Sequence, residues 1–179
     1  MTMDEHQQRY ESHQKRKRGV LIDIMRARHS DRMFADGLVP DDALAEVLEA
    51  AQLAPSSCDR HAVATQVVTG RDDKALLGGL LVGGVGWIHR APVIVLLFAE
   101  PAAYKAPGEI AFMPWLDTGF LAENMLLAAT AAGLASAYCN PAVRPAHKPL
   151  FETVYGGRLF GGAVALGQPL PPDWVFESG

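Results

Sequence analysis

Hydrophobic positions along this chain follow helical spacing in some stretches and strand spacing in others. Val20, Leu21, Ile24 and Met25 gather on one side at helical spacing and predict a helix over 20–27. Leu44, Val47, Leu48 and Ala51 fall at i, i+3, i+4 and i+7, an amphipathic stripe. Its start is read at Pro40, a residue suited to the first helical position, with Asp41 and Asp42 at the positive end of the helix dipole. Pro55 ends that helix, because it lacks a backbone N–H and restricts Ala54. A polar loop, Ser56 to His61, leads into a strand over Val63 to Thr69, rich in β-branched residues. Leu76 to Trp87 carries five glycines but neither GxGxxG nor a Walker lysine, so it reads as a connection and not as a phosphate loop. Pro92 to Phe98 predicts a strand buried on both faces.

Glu100 to Pro114 has three prolines and reads as a long loop of the kind that serves as a lid or binding segment. Asp117 is placed as the cap of a helix over Thr118 to Ala132, with Gly133 as its left-handed stop. Only Glu123 and Asn124 interrupt the apolar character of that helix, which points to a core or a subunit interface. Leu134 to Tyr138 predicts a strand, Pro145 to Val154 a helix, Ala163 to Leu166 a last buried strand and Gln168 to Gly179 a tail. The order predicts an α+β fold, one sheet wrapped by helices, over a single domain at 20–179 preceded by a polar arm or helix at 1–19.

Composition narrows the partners. The 179 residues carry 16 Lys+Arg and 20 Asp+Glu, a net charge of −4, with 49% hydrophobic residues. That balance suits a globular core and argues against nucleic acid as the main partner. Lys15-Arg16-Lys17-Arg18 reads as part of a solvated helix or frayed tail. Two cysteines, Cys58 and Cys139, suit a reducing cytoplasm. The polar start carries no secretory pattern, and the longest apolar run, Ala91 to Ala99, is too short for a bilayer, so no membrane association is expected. No HExxH, GxSxG or dense Cys/His cluster is present, so no metal is expected. Ser56 or Ser57 with His61 and Asp59 makes no hydrolase triad, because triad members converge from separate elements.

The remaining chemistry is basic. Arg28 and Arg32 are four apart and share one side of a helix end, with the Ser30 hydroxyl between them. This is either an anion site or a surface helix end with unpaired bases.

Arg28-His29-Ser30-Asp31-Arg32 with Phe34, followed by a helix and Ala54-Pro55-Ser56-Ser57, resembles the opening of the nitroreductase family. Trp87 with Ala91-Pro92, the alanine-rich Asp117–Leu134 segment ending in Gly-Leu, and the closing Gly162–Pro169 stretch are similar to further family features, so the resemblance spans about residues 20 to 169. It implies a central, mostly antiparallel sheet flanked by helices in an intertwined homodimer. It implies a ping-pong FMN-dependent oxidoreductase with flavin-centred chemistry and no catalytic side chain. NAD(P)H would be the electron donor, and a small nitro compound, quinone or enone, or O₂, the acceptor. Alternatives are a specialised flavin oxidase and a weakly active or inactive flavin-binding or storage protein.

By the same resemblance, Arg28, His29, Ser30 and Arg32 contact the cofactor, with Arg32 near the phosphate or the N1/O2 edge of the ring. Pro55, Ser56, Ser57 and Asp59 come from the partner subunit. Tyr138, Cys139 and Asn140 lie where the family offers backbone N–H groups to the flavin; Pro141 has none to offer. Tyr138 either stacks on the flavin or fills the core. Asp59 and His61 stand where the family usually has Asn and Gln, and the usual Pro-Trp is missing. The Lys or Arg that often completes the family's phosphate site near the C-terminus is also absent: no basic residue follows Gly167. Arg144, Lys148 or Arg158 would have to substitute if Arg28 and Arg32 do not suffice.

Overall fold

The computed structural model describes residues 3–104 and 111–171. In chain order its main elements are α1 (Met3–Ala27), α2 (Asp41–Gln52), β1 (Val63–Val68), α3 (Arg71–Leu80), β2 (Val93–Ala99), α4 (Met113–Ala131), β3 (Ala135–Cys139), α5 (Lys148–Tyr155) and β4 (Leu159–Gly167). The strands form one sheet in the order β1-β2-β4-β3, antiparallel at every pairing. This is the α+β architecture expected from the sequence.

Every residue of β2 is buried. The reason is its place between β1 and β4, with a hydrophobic cluster on each face of the sheet. One cluster joins Val93, Val95 and Leu97 to α2 and α4 through Val47, Ala51, Leu121 and Met125. The other joins Ile94, Leu96 and Phe98 to Leu77, Leu80, Ile88, Phe151 and Phe160. Inside this second cluster Phe151 and Phe160 lie 5.0 Å apart in a tilted arrangement, a favoured aromatic geometry.

Several boundaries differ from expectation. Pro40 stands just before α2, as its N-cap, with a polyproline-like φ of −59° and ψ of 141°. The region from Arg71 to Leu80 is a helix in spite of Gly78 and Gly79: Leu77 and Leu80 are buried against the sheet, and that packing outweighs the weak helix propensity of glycine. Lys74 anchors α3 by donating to Ala91 O at 2.9 Å and Pro92 O at 3.1 Å. α4 begins at Met113, with Pro114 in its first turn, so Asp117 lies inside the helix and is not its cap. β4 runs nine residues, well beyond Ala163–Leu166, because it pairs with strands on both sides. Gly133 does stop α4, at φ +72°.

α1 is one continuous helix across Gly19, and none of its residues is buried. Ile24, near its C-terminal end, is its one partly covered residue. Within the Glu100–Pro114 segment a short turn spans Pro101–Ala103 and α4 starts at Met113, while 105–110 lie outside the described residues. The tail from 172 onward also lies outside them.

Candidate active site

The Arg28–Arg32 turn leaves α1 and runs beside the free edge of β3. Arg28 N–H closes the last turn of α1 on Ile24 O at 3.0 Å, and Asp31 N–H donates to Ser136 O at 2.8 Å. Ala35 then bridges to Gln168, beyond the end of β4. These backbone contacts fix a short polar segment that carries Arg28, Ser30 and Arg32. The Arg32 guanidinium lies 5.8 Å from the centre of the Trp87 ring, a cation–π contact. Trp87 is itself held by its indole N–H on Gly83 O at 2.7 Å. His29 Nδ1 stands 3.1 Å from Asp31 Oδ2, so this histidine faces a carboxylate of its own turn.

The Tyr138–Asn140 stretch is next to this turn, and its three side chains do different things. Tyr138 packs on the α4 side of the sheet and donates its hydroxyl to Gly161 O at 2.6 Å, a core role. Cys139 points to the other face, buried, and burial pushes its thiol up to about 11 against the pull of Arg32. Asn140 is exposed and its Oδ1 accepts from Ala142 N–H at 3.1 Å, a local turn that orients the chain after β3.

Cys58 is exposed and Cys139 is buried. Iodoacetamide at pH 8 is expected to label Cys58 and to leave Cys139 unmodified in the folded protein, as mass spectrometry of the labelled peptides will show. The folded state keeps the Cys139 proton where the unfolded chain has lost it, so stability is expected to fall as pH rises from 9 towards 11.

The Pro55–Asp59 loop occupies the opposite end of the sheet. It precedes β1, whose Val63 pairs with Ala99, whereas Ser136 pairs with Leu166 and through it sits level with Val93. Six residues of β2 separate those levels, about 20 Å at the usual rise of a strand. Within one chain, therefore, the two groups of expected site residues do not meet.

The loop is tightly organised. Cys58, Asp59 and His61 have φ of 52°, 55° and 48°, a left-handed conformation uncommon for residues other than glycine, though less so for Asp and His. Hydrogen bonds hold it there. Asp59 N–H donates to Ser56 O at 3.0 Å, His61 N–H to Ser56 Oγ at 3.0 Å, and Arg60 Nη1 to Ser57 O at 2.9 Å. The exposed Asp59 carboxylate is faced by His61 Nε2 at 2.9 Å, while the Arg60 guanidinium turns to Ser57 O.

The residue missed from sequence is Asp117. It is 2% exposed in α4 and accepts from Ser57 N–H at 3.0 Å, Ser57 Oγ at 2.9 Å and the Tyr104 hydroxyl at 2.7 Å. Burial first, then this carboxylate, holds the Tyr104 hydroxyl above the ordinary tyrosine range. The available signal is an acid at the start of a largely apolar stretch, which reads equally well as a cap.

The substitutes for a C-terminal base are dispersed. Arg158 donates to Tyr155 O at 3.1 Å and Gln66 Oε1 at 2.8 Å and lies 3.9 Å over the Phe98 ring, at the Ala99 end of the sheet. Lys148 borders a hollow of about 370 Å³ with Arg158 and Phe160. Arg144 is closer to the β3 side, with its N–H on Leu80 O at 3.1 Å, next to the Leu81–Val143 bridge. Among the described residues no group of three or more His, Cys, Asp or Glu could hold a metal, and no helix is long and apolar enough to cross a membrane.

α4 turns one side inward, through Leu121, Met125 and Ala129, and leaves Trp115, Leu116 and Phe120 more than two-fifths exposed. Phe112 and Leu53 are also exposed.

The nitroreductase family model matches residues 25–81 and 79–143 of the chain, more than half its length. A candidate NADH dehydrogenase/NAD(P)H nitroreductase of Methanothermobacter thermautotrophicus is 26% identical over 119 residues, 66% of this chain and 59% of that one. The match thus spans less than two thirds of that relative. Among solved structures, a candidate NADH dehydrogenase/NAD(P)H nitroreductase from Bacteroides thetaiotaomicron superposes with a TM-score of 0.74 over 89% of this chain and 92% of the other at 18% identity, a likeness of fold. A candidate nitroreductase from Desulfovibrio desulfuricans, solved in complex with FMN, is 27% identical, with a TM-score of 0.71 and coverage of 84% and 87%. By family model and by fold, the chain belongs to the nitroreductase family.

Proposed function

We propose that this protein is an FMN-dependent oxidoreductase that works as a homodimer, with the Arg28–Arg32 turn of one copy and the Pro55–Asp59 loop of the other bordering one cofactor. The observation that carries the reading is the separation of these groups by about 20 Å of sheet within one chain. A second copy related by a twofold axis supplies the missing wall twice over, once for each site. The exposed apolar side of α4, with Trp115, Leu116 and Phe120, is the kind of surface such a pairing covers.

The donor set fits a flavin monophosphate. Two guanidinium groups and a hydroxyl on a turn fixed by β3 match a doubly charged anion with several acceptor oxygens. Arg28 and Ser30 hold phosphate and ribityl oxygens, with His29 adding its ring or backbone donor. Arg32, steadied on Trp87, supplies the cation that offsets the negative charge reduction brings to the ring. The backbone N–H of Cys139 or Asn140 is the donor for the ring's reactive edge. FMN, when bound, supplies hydride uptake and release at its N5 atom. The chain binds, orients and balances charge, and contributes no acid–base side chain of its own. The electron donor is NAD(P)H and the acceptor a small nitro compound, quinone or enone, or O₂, in a ping-pong cycle. A reducing cytoplasm suits its two free thiols.

The test is the visible absorption spectrum of the purified protein before and after adding FMN and desalting. Flavin bands near ~450 nm, a property of the cofactor itself, are expected to survive desalting. A protein that retains no FMN would overturn the reading and leave the fold without this chemistry.

A further inference from the structure

We propose that Asp117 is a positioning residue that fixes the Pro55–Asp59 loop and turns the Ser57 hydroxyl inward, while the His61 N–H occupies the Ser56 oxygen and leaves that hydroxyl to donate. Ser57 then offers an acceptor and Ser56 a donor, a pair complementary to an imide or polyol edge of a ligand and not to its phosphate. The proposal rests on reading this loop as one wall of the cofactor site.

Three donors converge on the buried Asp117 carboxylate: the Ser57 N–H, the Ser57 hydroxyl and the Tyr104 hydroxyl. A carboxylate has no proton to give, so each partner must be the donor. The single hydroxyl proton of Ser57 is therefore turned inward, and only the lone pairs of its Oγ remain for anything else. Ser56 has the opposite arrangement. Its Oγ already accepts from the His61 N–H at 3.0 Å, and its proton remains available. Both serines are half-buried, at the mouth of the loop. A phosphate only accepts, so it has no use for Ser57 Oγ. A ligand edge that places an N–H or O–H beside a carbonyl or hydroxyl oxygen satisfies both.

The same contacts explain how three left-handed residues persist in this loop. Strained conformations of this kind require surroundings that over-determine them. Asp117 joins α4 to the loop and, through Tyr104, to the end of the segment after β2. Arg60 closes the group from the other side, donating to Ser57 O and lying 5.8 Å from the Tyr104 ring.

Two measurements test this on the full-length protein. The first is hydrogen–deuterium exchange of the peptide spanning 53–62 in flavin-free protein. Asp117→Asn is expected to speed exchange there while the sheet exchanges as in wild type. The second is titration with FMN and with riboflavin, which lacks the phosphate. Asp117→Asn and Ser56→Ala are each expected to weaken both ligands by the same factor, about five- to tenfold, the size of one net hydrogen bond. Should Asp117→Asn fail to fold, Tyr104→Phe removes one of the three donors and serves the same comparison with a smaller effect. Wild-type exchange in the 53–62 peptide of the variant would overturn the positioning role, whatever the flavin result. Ser56→Ala weakening FMN alone would overturn the polarity assignment. A wild-type protein that binds neither flavin would instead overturn the functional reading, and exchange alone would then judge Asp117.

Discussion

The Arg28→Ala, Arg32→Ala double variant is expected to lose FMN on desalting while keeping its fold. Each guanidinium contributes a charge-assisted hydrogen bond to an anion, about 1.5–3 kcal/mol apiece, so removing both weakens FMN binding on the order of 10² to 10⁴-fold. The fold is spared because neither side chain belongs to the buried clusters. Arg28 stands at the end of a helix without buried residues, and the Arg32 side chain rests on the ring of Trp87. The backbone contacts that fix the turn, Arg28 N–H to Ile24 O and Asp31 N–H to Ser136 O, survive both substitutions. Far-UV circular dichroism and the melting temperature are therefore expected to stay near wild type. Riboflavin, without the phosphate, is expected to lose less affinity than FMN. A double variant that remains yellow after desalting would remove the turn from the site.

Gly162→Ala is expected to be the most damaging small substitution in the sheet. Gly162 has φ +119°, a conformation closed to L side chains, and a Cβ there would overlap the Tyr138 phenol, 2.6 Å from its Cζ. The phenol has little room to yield. Its hydroxyl is bonded to Gly161 O, and its ring packs against the cluster beneath α4. The site also coincides with an irregularity in the β2–β4 register, where Leu97 pairs with Gly162 but Phe98 with Phe160. Backbone strain and overpacking together cost about 3–5 kcal/mol, which lowers the melting temperature by roughly 10 °C in a chain of this size. Gly119→Ala is the control. Nothing lies within 4 Å of the added carbon on α4, so the helix is expected to gain slightly. Equal melting temperatures for the two variants would contradict the packing around Tyr138.

Much of the framework is legible in the residues because short-range rules govern it. The unbroken apolar run of β2 reports a strand covered on both faces. The i, i+3, i+4, i+7 stripe of α2 reports one buried side, and Gly133 marks the end of α4 through a left-handed conformation that glycine adopts without steric cost. The Arg28–Arg32 and Pro55–Ser57 motifs are visible as local patterns of charge and hydroxyls. The apolar surround of α4 is legible too, and one sheet covers only part of it: Trp115, Leu116 and Phe120 stay exposed.

What tertiary structure decides is where separate segments meet. α3 exists because Leu77 and Leu80 find the sheet, against the local preference of Gly78 and Gly79. Asp117 looks like a cap until α4 extends back to Met113, and its partners, Ser57 and Tyr104, are 60 and 13 residues away. Tyr138 is divided between ligand and core on paper, and Gly161 O and the α4 cluster claim it. The expected site itself is divided, with the Arg28–Arg32 turn and the Pro55–Asp59 loop about 20 Å apart along the strands. Residue order determines periodicity, local sterics and the inventory of donors. Which donor meets which acceptor depends on how the sheet closes, since hydrogen bonds and packing act over a few ångströms in space, whatever the separation along the chain.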